Sequence, residues 1–189
     1  MVGWVVFAAV AAVILYVIII YNGLVKARQM VKEAWSGIDV QLKRRADLIP
    51  NLVNTVQGYA AHENETLERV TELRTRASNV PAEDVEQRAA VESMLSQAVG
   101  RLLAVAEAYP DLKASENYRE LQDSLQEIEA EIQMARRYYN GAARELNVRV
   151  ESFPSNLVAG PFGFEQASYF EVDSAADRAV PKVQFDPAG

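Results

Sequence analysis

Apolar residues fall in two kinds of pattern along this chain. From Val2 to Tyr21 they are nearly continuous: Val, Ile, Ala, Leu and aromatics, without one charge. About 20 helical residues at 1.5 Å each cross the ~30 Å hydrocarbon core of a bilayer. Trp4 and Tyr21 stand near the two ends, where amphipathic rings prefer the interface. A cleaved secretory signal fits less well, because no Lys or Arg precedes the run and the run is long. A buried soluble helix fits less well too, because no polar face exists. The pattern predicts a transmembrane helix over residues 1–22.

Beyond it the apolar positions become periodic. Leu24, Val31, Trp35, Ile38, Leu42 and Ile49 recur at steps that add to seven, with Arg28 and Arg45 on the same stripe. This is a heptad seam of the coiled-coil type, continuous with the span. Pro50 interrupts it, since proline lacks an amide donor and clashes with the carbonyl four residues back. A second helix is expected over 51–78, with Leu52, Val56, Tyr59, Val70 and Leu73 on one face and Glu63 among them. Asn79-Val80-Pro81 breaks the chain, and a third helix is expected over 82–108 through Val85, Val91, Leu95, Leu102 and Val105. The fourth, 115–153, is the most regular. Ser115 is its expected N-cap, and Tyr118, Leu121, Leu125, Ile128, Ile132, Ala135, Tyr139, Ala142, Leu146, Arg149 and Phe153 alternate steps of three and four.

The expected fold is therefore all-α: a transmembrane helix continuous with an up-and-down antiparallel bundle of three to four long helices over 23–154, about 23–49, 51–78, 82–108 and 115–153. Matched lengths favour a turn at Pro50 and four segments; the unbroken register from Ile49 to Leu52 and Val56 favours a kink. Four segments are preferred. The remainder, 155–189, is an irregular aromatic tail with Phe162, Phe164, Tyr169, Phe170 and Phe185. It is too apolar for plain disorder. It is expected to pack on the bundle, or, as the lesser option, on the membrane surface.

Charge sharpens this picture. The chain carries −7 overall, yet residues 22–50 hold six basic and three acidic side chains, so the rest carries −10. An acidic body argues against nucleic acid as a partner. Lys26, Arg28 and Lys32 follow the span closely; with Trp4 and Tyr21 they form the expected membrane interface, and by the positive-inside rule they place the domain in the cytoplasm.

Chemistry is sparse. The absence of cysteine excludes disulfides and thiolate nucleophiles. The single histidine, His62, cannot supply the paired Glu-x-x-His motifs of a di-iron bundle, and its neighbour Glu63 lacks a second histidine for zinc. No phosphate loop or nucleophile elbow occurs. Glu127, Glu129 and Glu131 alternate around their helix and read as solvated charges. No enzyme activity, cofactor or metal is expected. Two polar clusters are candidate interaction sites: Arg44, Arg45, Asp47 and Asn51 around Pro50, and Arg136, Arg137, Tyr138 and Asn140 on the fourth helix. Either could equally be an intramolecular clamp. Charges on apolar stripes (Arg28, Arg45, Glu63, Arg149) are read first as rim residues with snorkelling side chains, second as contacts to another subunit.

Long strings of this chain resemble the LemA family. They include Glu33-Ala34-Trp35-Ser36, Ile38-Asp39-Val40-Gln41-Leu42-Lys43-Arg44-Arg45, Asp47-Leu48-Ile49-Pro50-Asn51-Leu52-Val53, Ala106-Glu107-Ala108-Tyr109-Pro110-Asp111-Leu112-Lys113, Ala135-Arg136-Arg137-Tyr138-Tyr139-Asn140 and Phe153-Pro154-Ser155-Asn156. The resemblance implies a bacterial single-pass membrane protein with a helical-bundle domain and no established enzymatic activity; some relatives are linked to magnetosome membranes. The expected function is a non-enzymatic membrane scaffold that self-associates and organises or shapes the bacterial inner membrane. The alternative is a tethered adaptor for a membrane protease or signalling component. Ala8 and Ala12 add a weak small-residue packing signal within the span.

Overall fold

The computed structural model describes residues 1–60 and 62–171; the expectation for Phe185, and for the tail beyond 171, lies outside the described residues. The fold is all-α. Its elements are α1 (Val2–Tyr59), α2 (Asn64–Ser78), α3 (Val85–Ala106), the short α4 (Pro110–Ala114), α5 (Glu116–Glu151) and the single turn α6 (Asn156–Ala159).

The first helix is longer than expected. It runs unbroken through Pro50, so the predicted division at 49/51 is corrected: the chain turns at Ala60–Glu63 instead. The physical reason lies across the bundle. Pro50 cannot donate to the carbonyl of Ala46, four residues back. Arg74 of α2 donates its Nε–H to that oxygen at 3.0 Å. A charge-assisted bond thus takes the place of the missing intrahelical one. With 58 residues, α1 is about 87 Å long at 1.5 Å per residue. Tyr59, expected on an apolar face, ends that rod exposed to solvent. An Arg74→Leu substitution orphans the Ala46 carbonyl, at an expected cost of about 1–3 kcal/mol. Thermal unfolding in detergent checks this; a melting curve superimposable on that of the parent would refute the substitution of one bond for the other.

The chain directions follow from the contacts. Gly23 meets Arg149, Trp35 meets Tyr139 and Arg45 meets Glu129, so α5 descends along α1. Asp39 meets Arg88 while Arg45 meets Glu92 and Ser96, so α3 runs parallel to α1. Ala46 meets Arg74, which puts the descending α2 beside the upper part of α1. Up-and-down order is therefore kept, although α2 is half the length expected. Asp84 caps α3 by accepting from the Gln87 amide at 2.9 Å. Ser115 is at the N-cap of α5, but its side chain makes no capping bond.

Three apolar clusters line α1 in sequence. Leu24 belongs to the lowest, Ala34, Ile38 and Leu42 to the middle one, and Ile49, Leu52 and Val56 to the uppermost. The apolar stripes of α1 and α5 build most of the middle cluster, whereas α2 and α3 supply most of the uppermost one. The α5 stripe is buried or half-buried from Tyr118 to Leu146, but Phe153, its predicted last member, is exposed beyond the helix end.

The first 21 residues touch little. None is buried, and α1 is the one described helix that is long and apolar enough to cross a membrane.

Candidate functional site

Two polar constellations and one apolar collar are superimposed on this core. The first constellation interrupts the apolar stripe of α1 between Leu42 and Ile49. Arg45 is 3% exposed there. Its guanidinium donates to Glu92 at 2.5 Å, to Glu129 at 2.8 Å and to the Ser96 hydroxyl. Arg88 donates to the other oxygen of Glu92 at 3.0 Å and lies 3.6 Å from Asp39. Asp39 in turn accepts from Lys43 at 2.7 Å. Signs alternate along the chain Lys43, Asp39, Arg88, Glu92, Arg45, Glu129, and the six groups sum to zero charge. Each buried member, Arg45, Arg88 and Glu92, thus has an opposite partner, which matters because an unpaired buried charge costs several kcal/mol. Three members come from α1, two from α3 and one from α5, so the network also fixes the mutual register of these helices.

The second constellation holds the tail. Asn147 donates to the Ala167 carbonyl at 2.9 Å and accepts from the Ala167 amide at 2.8 Å. Asn140 does the same for Phe170, at 3.2 and 2.9 Å. Seven helical residues rise about 10.5 Å, and three extended residues about 10 Å. Asparagines seven apart on α5 therefore match residues three apart on an extended strand. Between them the Tyr139 hydroxyl donates to the Ser168 carbonyl at 2.8 Å, and burial raises its pKa above the usual tyrosine value. Phe170 closes the middle cluster, with its ring 5.9 Å from that of Trp35. The tail thus runs up the groove between α1 and α5 to the start of α3, where Ser168 donates to Glu86.

The collar sits at the exit of the span. Phe162 and Phe164 meet Tyr21 edge-on, at 5.1 and 5.6 Å between ring centroids. The Arg28 guanidinium lies over the Phe164 ring at 4.7 Å. Arg149 donates to the Gly23 carbonyl at 3.0 Å, and a side chain at Gly23 would meet that guanidinium at 2.9 Å.

The sequence-predicted residues sort accordingly. Trp4, Lys26 and Lys32 are exposed; Tyr21 and Arg28 join the collar. The corner at Pro50 is not one site. Arg45 turns inward, whereas Arg44, Asp47 and Asn51 are exposed and Arg44 bonds only Gln41. The rim reading of Arg45 is corrected for the same reason: its partners come from α3 and α5, inside the bundle. Glu129, read as solvated, is drawn to Arg45 and partly covered. The second cluster also divides. Asn140 is a tail clamp, Arg136 borders a cavity of about 550 Å3 beside Arg45 and Glu129, and Arg137 and Tyr138 are exposed. Arg88, Glu92, Asn147 and Arg74 escaped the sequence reading. The opposite charges of Arg88 and Glu92, four apart on the stripe that continues through Leu95 and Leu102, were the available signal. Among the described residues no three His, Asp or Glu side chains gather as a metal site would require.

The model of the LemA family matches residues 34–185, about four fifths of the chain. Protein LemA of Metamycoplasma hominis is 32% identical over 152 residues, covering 79% of this chain and 68% of that protein. Magnetosome protein MamQ 2 of Paramagnetospirillum magneticum is 26% identical over 196 residues, covering 91% and 72%. Magnetosome protein MamQ of Magnetospirillum gryphiswaldense is 24% identical over 185 residues, covering 85% and 68%.

Proposed function

This chain belongs to the LemA family, and from that premise we propose that it is a non-enzymatic, membrane-anchored scaffold that self-associates and organises the bilayer around it. The observation that carries the reading is α1 itself: one 58-residue helix passes from the apolar span into the bundle core without a joint. A bundle so mounted transmits its orientation to the membrane instead of swinging on a linker. The interior charges are paired with one another within the chain. The likeness to relatives named as magnetosome proteins supports membrane organisation over catalysis. The cations after the span support a cytoplasmic domain.

Self-association has a surface to use. On the outer side of α5, Met134, Tyr138 and Val148 are exposed at heptad-compatible spacing, with Gly141 between them. The test is the native mass of the full-length protein extracted with its surrounding lipid. A uniform homo-assembly is expected, and Tyr138→Arg should reduce its mass. A monomer in both would end the scaffold reading.

The second reading, a tethered adaptor, has one observation in its favour. An open cavity of about 710 Å3 lies between α3 and the tail, lined by Glu86, Ser93, Gln97, Gln166 and Tyr169. It predicts a monomer that co-purifies with a single membrane-protein partner.

A further inference from the structure

The segment from Phe153 to Phe164 departs from its surroundings in composition. Twelve residues, Phe-Pro-Ser-Asn-Leu-Val-Ala-Gly-Pro-Phe-Gly-Phe, carry no charge in a chain that is 24% charged. Its fold is a hook. Prolines 154 and 161 flank the single turn α6, and Gly163, at φ +66°, reverses the chain in a backbone conformation that side chains disfavour. The inner side of the hook is ordinary core: Val158, Ala159 and Phe164 are buried on Leu24. The outer side is not. Phe153 is 79% exposed, Leu157 66% and Phe162 56%. Three large apolar side chains on one short uncharged segment need a cover, since water is a poor one.

The position of the hook selects the cover. The same cluster includes Val17 and Ile20 of the apolar span. Val17 is one helical turn, about 6 Å, on the membrane side of Tyr21. Phe162 and Phe164 rest on Tyr21 itself. Any bilayer that covers the span to Tyr21 therefore reaches the hook. Arg28 lies against it, over the Phe164 ring, Lys26 is exposed about one turn beyond Tyr21, and among the described residues neither is paired with a carboxylate. Apolar side chains at the acyl boundary beneath unpaired cations are the composition of an interfacial lipid anchor.

We propose that residues 153–164 form a second membrane contact, in which Phe153, Leu157 and Phe162 insert at the boundary between headgroups and acyl chains while Lys26 and Arg28 lie at the level of the lipid phosphates. The bundle is then held to the bilayer at two points, the span and the hook. The hook is bonded to α5 through the tail and to α1 through Tyr21, so it braces the rod against tilting. This inference rests on the span alone and stands whether or not the protein self-associates.

The native chain has no cysteine, which permits a direct test. Single-cysteine variants Phe153→Cys, Leu157→Cys and Phe162→Cys of the full-length protein are spin-labelled and reconstituted into vesicles of phosphatidylcholine and phosphatidylglycerol in equal parts. Tyr59→Cys, exposed at the end of α1 away from the span, is the control. Relaxation by oxygen, which concentrates in the bilayer, is compared with relaxation by a water-soluble nickel chelate. The expected result is oxygen dominance at the three hook positions and nickel dominance at residue 59. Nickel dominance at the hook would overturn the proposal. Exclusion of both reagents there would overturn it as well, because it would mean that protein, such as a second copy, is the cover. Phe153 and Leu157 project from the surface, and Phe162 rests on the exposed Tyr21 ring, so labelling leaves the buried clusters in place; circular dichroism of each labelled chain should match the parent.

Discussion

Replacing Glu92 by alanine is expected to cost the bundle about 3–5 kcal/mol, the range for breaking a buried ion pair by removing one partner. Glu92 is 4% exposed and serves two guanidinium groups at once. Without it Arg45 keeps the Ser96 hydroxyl and, as a charged partner, only the partly exposed Glu129, and Arg88 keeps Asp39 at 3.6 Å. A loss of that size is a large share of the 5–15 kcal/mol by which domains are ordinarily stable. At roughly 2–4 °C per kcal/mol for a domain of this length, the midpoint should fall by about ten degrees. Thermal unfolding in detergent, followed by circular dichroism, measures it. Glu92→Gln keeps an acceptor but loses the charge and should fall between. Lys43→Ala, at the exposed end of the same chain of charges, should change the midpoint by about 1 kcal/mol or less. Equal midpoints for Glu92→Ala and Lys43→Ala would show that burial does not set the strength of the network.

Phe170→Ala should have a comparable effect by a different route. Truncating a buried phenylalanine costs about 3–5 kcal/mol through lost transfer energy and the cavity left behind. Here the cavity opens beside Trp35, whose ring is 5.9 Å from Phe170. The emission of Trp35 should shift to the red as water reaches it, while Trp4, out on the span, supplies a constant background. Asn140→Ala removes both bonds to the Phe170 backbone but leaves the ring, so a smaller loss, about 1–3 kcal/mol, is expected. Unchanged emission and melting in Phe170→Ala would mean that the tail is not seated in the groove.

Both predictions concern groups that the sequence displayed only in part. The apolar partners were legible. Ile38, Leu42, Leu125, Ile128, Ile132 and Leu146 all fall on predicted stripes and all are buried. The polar partners were harder to read, because a charge on a stripe has no periodic signature that separates a paired interior residue from one at the rim. Arg45 was visible as an anomaly. Its partners were not, since Glu92 and Glu129 lie 47 and 84 residues away. Asn140 stood in a conspicuous string, whereas Asn147 passed as an ordinary polar residue until an extended segment was found beside it.

Pro50 shows the same limit from the side of secondary structure. Local chemistry gives it as a helix breaker, yet α1 continues through it and only the bond to the Ala46 carbonyl is lost. Arg74, 28 residues from that carbonyl, supplies the missing donor, and nothing in the residues around Pro50 encodes it. The turn fell instead at Ala60–Glu63, which has no proline and only Gly58 nearby as a weak helix former.

By itself the sequence determined the apolar span, the all-α class, the helical stripes and the family, because each is written in local composition, in a repeat of three and four residues, or in contiguous strings. The tertiary structure decided which proline bends the chain and which does not, which charges are interior, and where the tail lies. Those outcomes depend on donors and acceptors brought together from distant segments, and hydrogen-bond and ion-pair energies are set by ångström-scale distances that spacing along a chain does not encode.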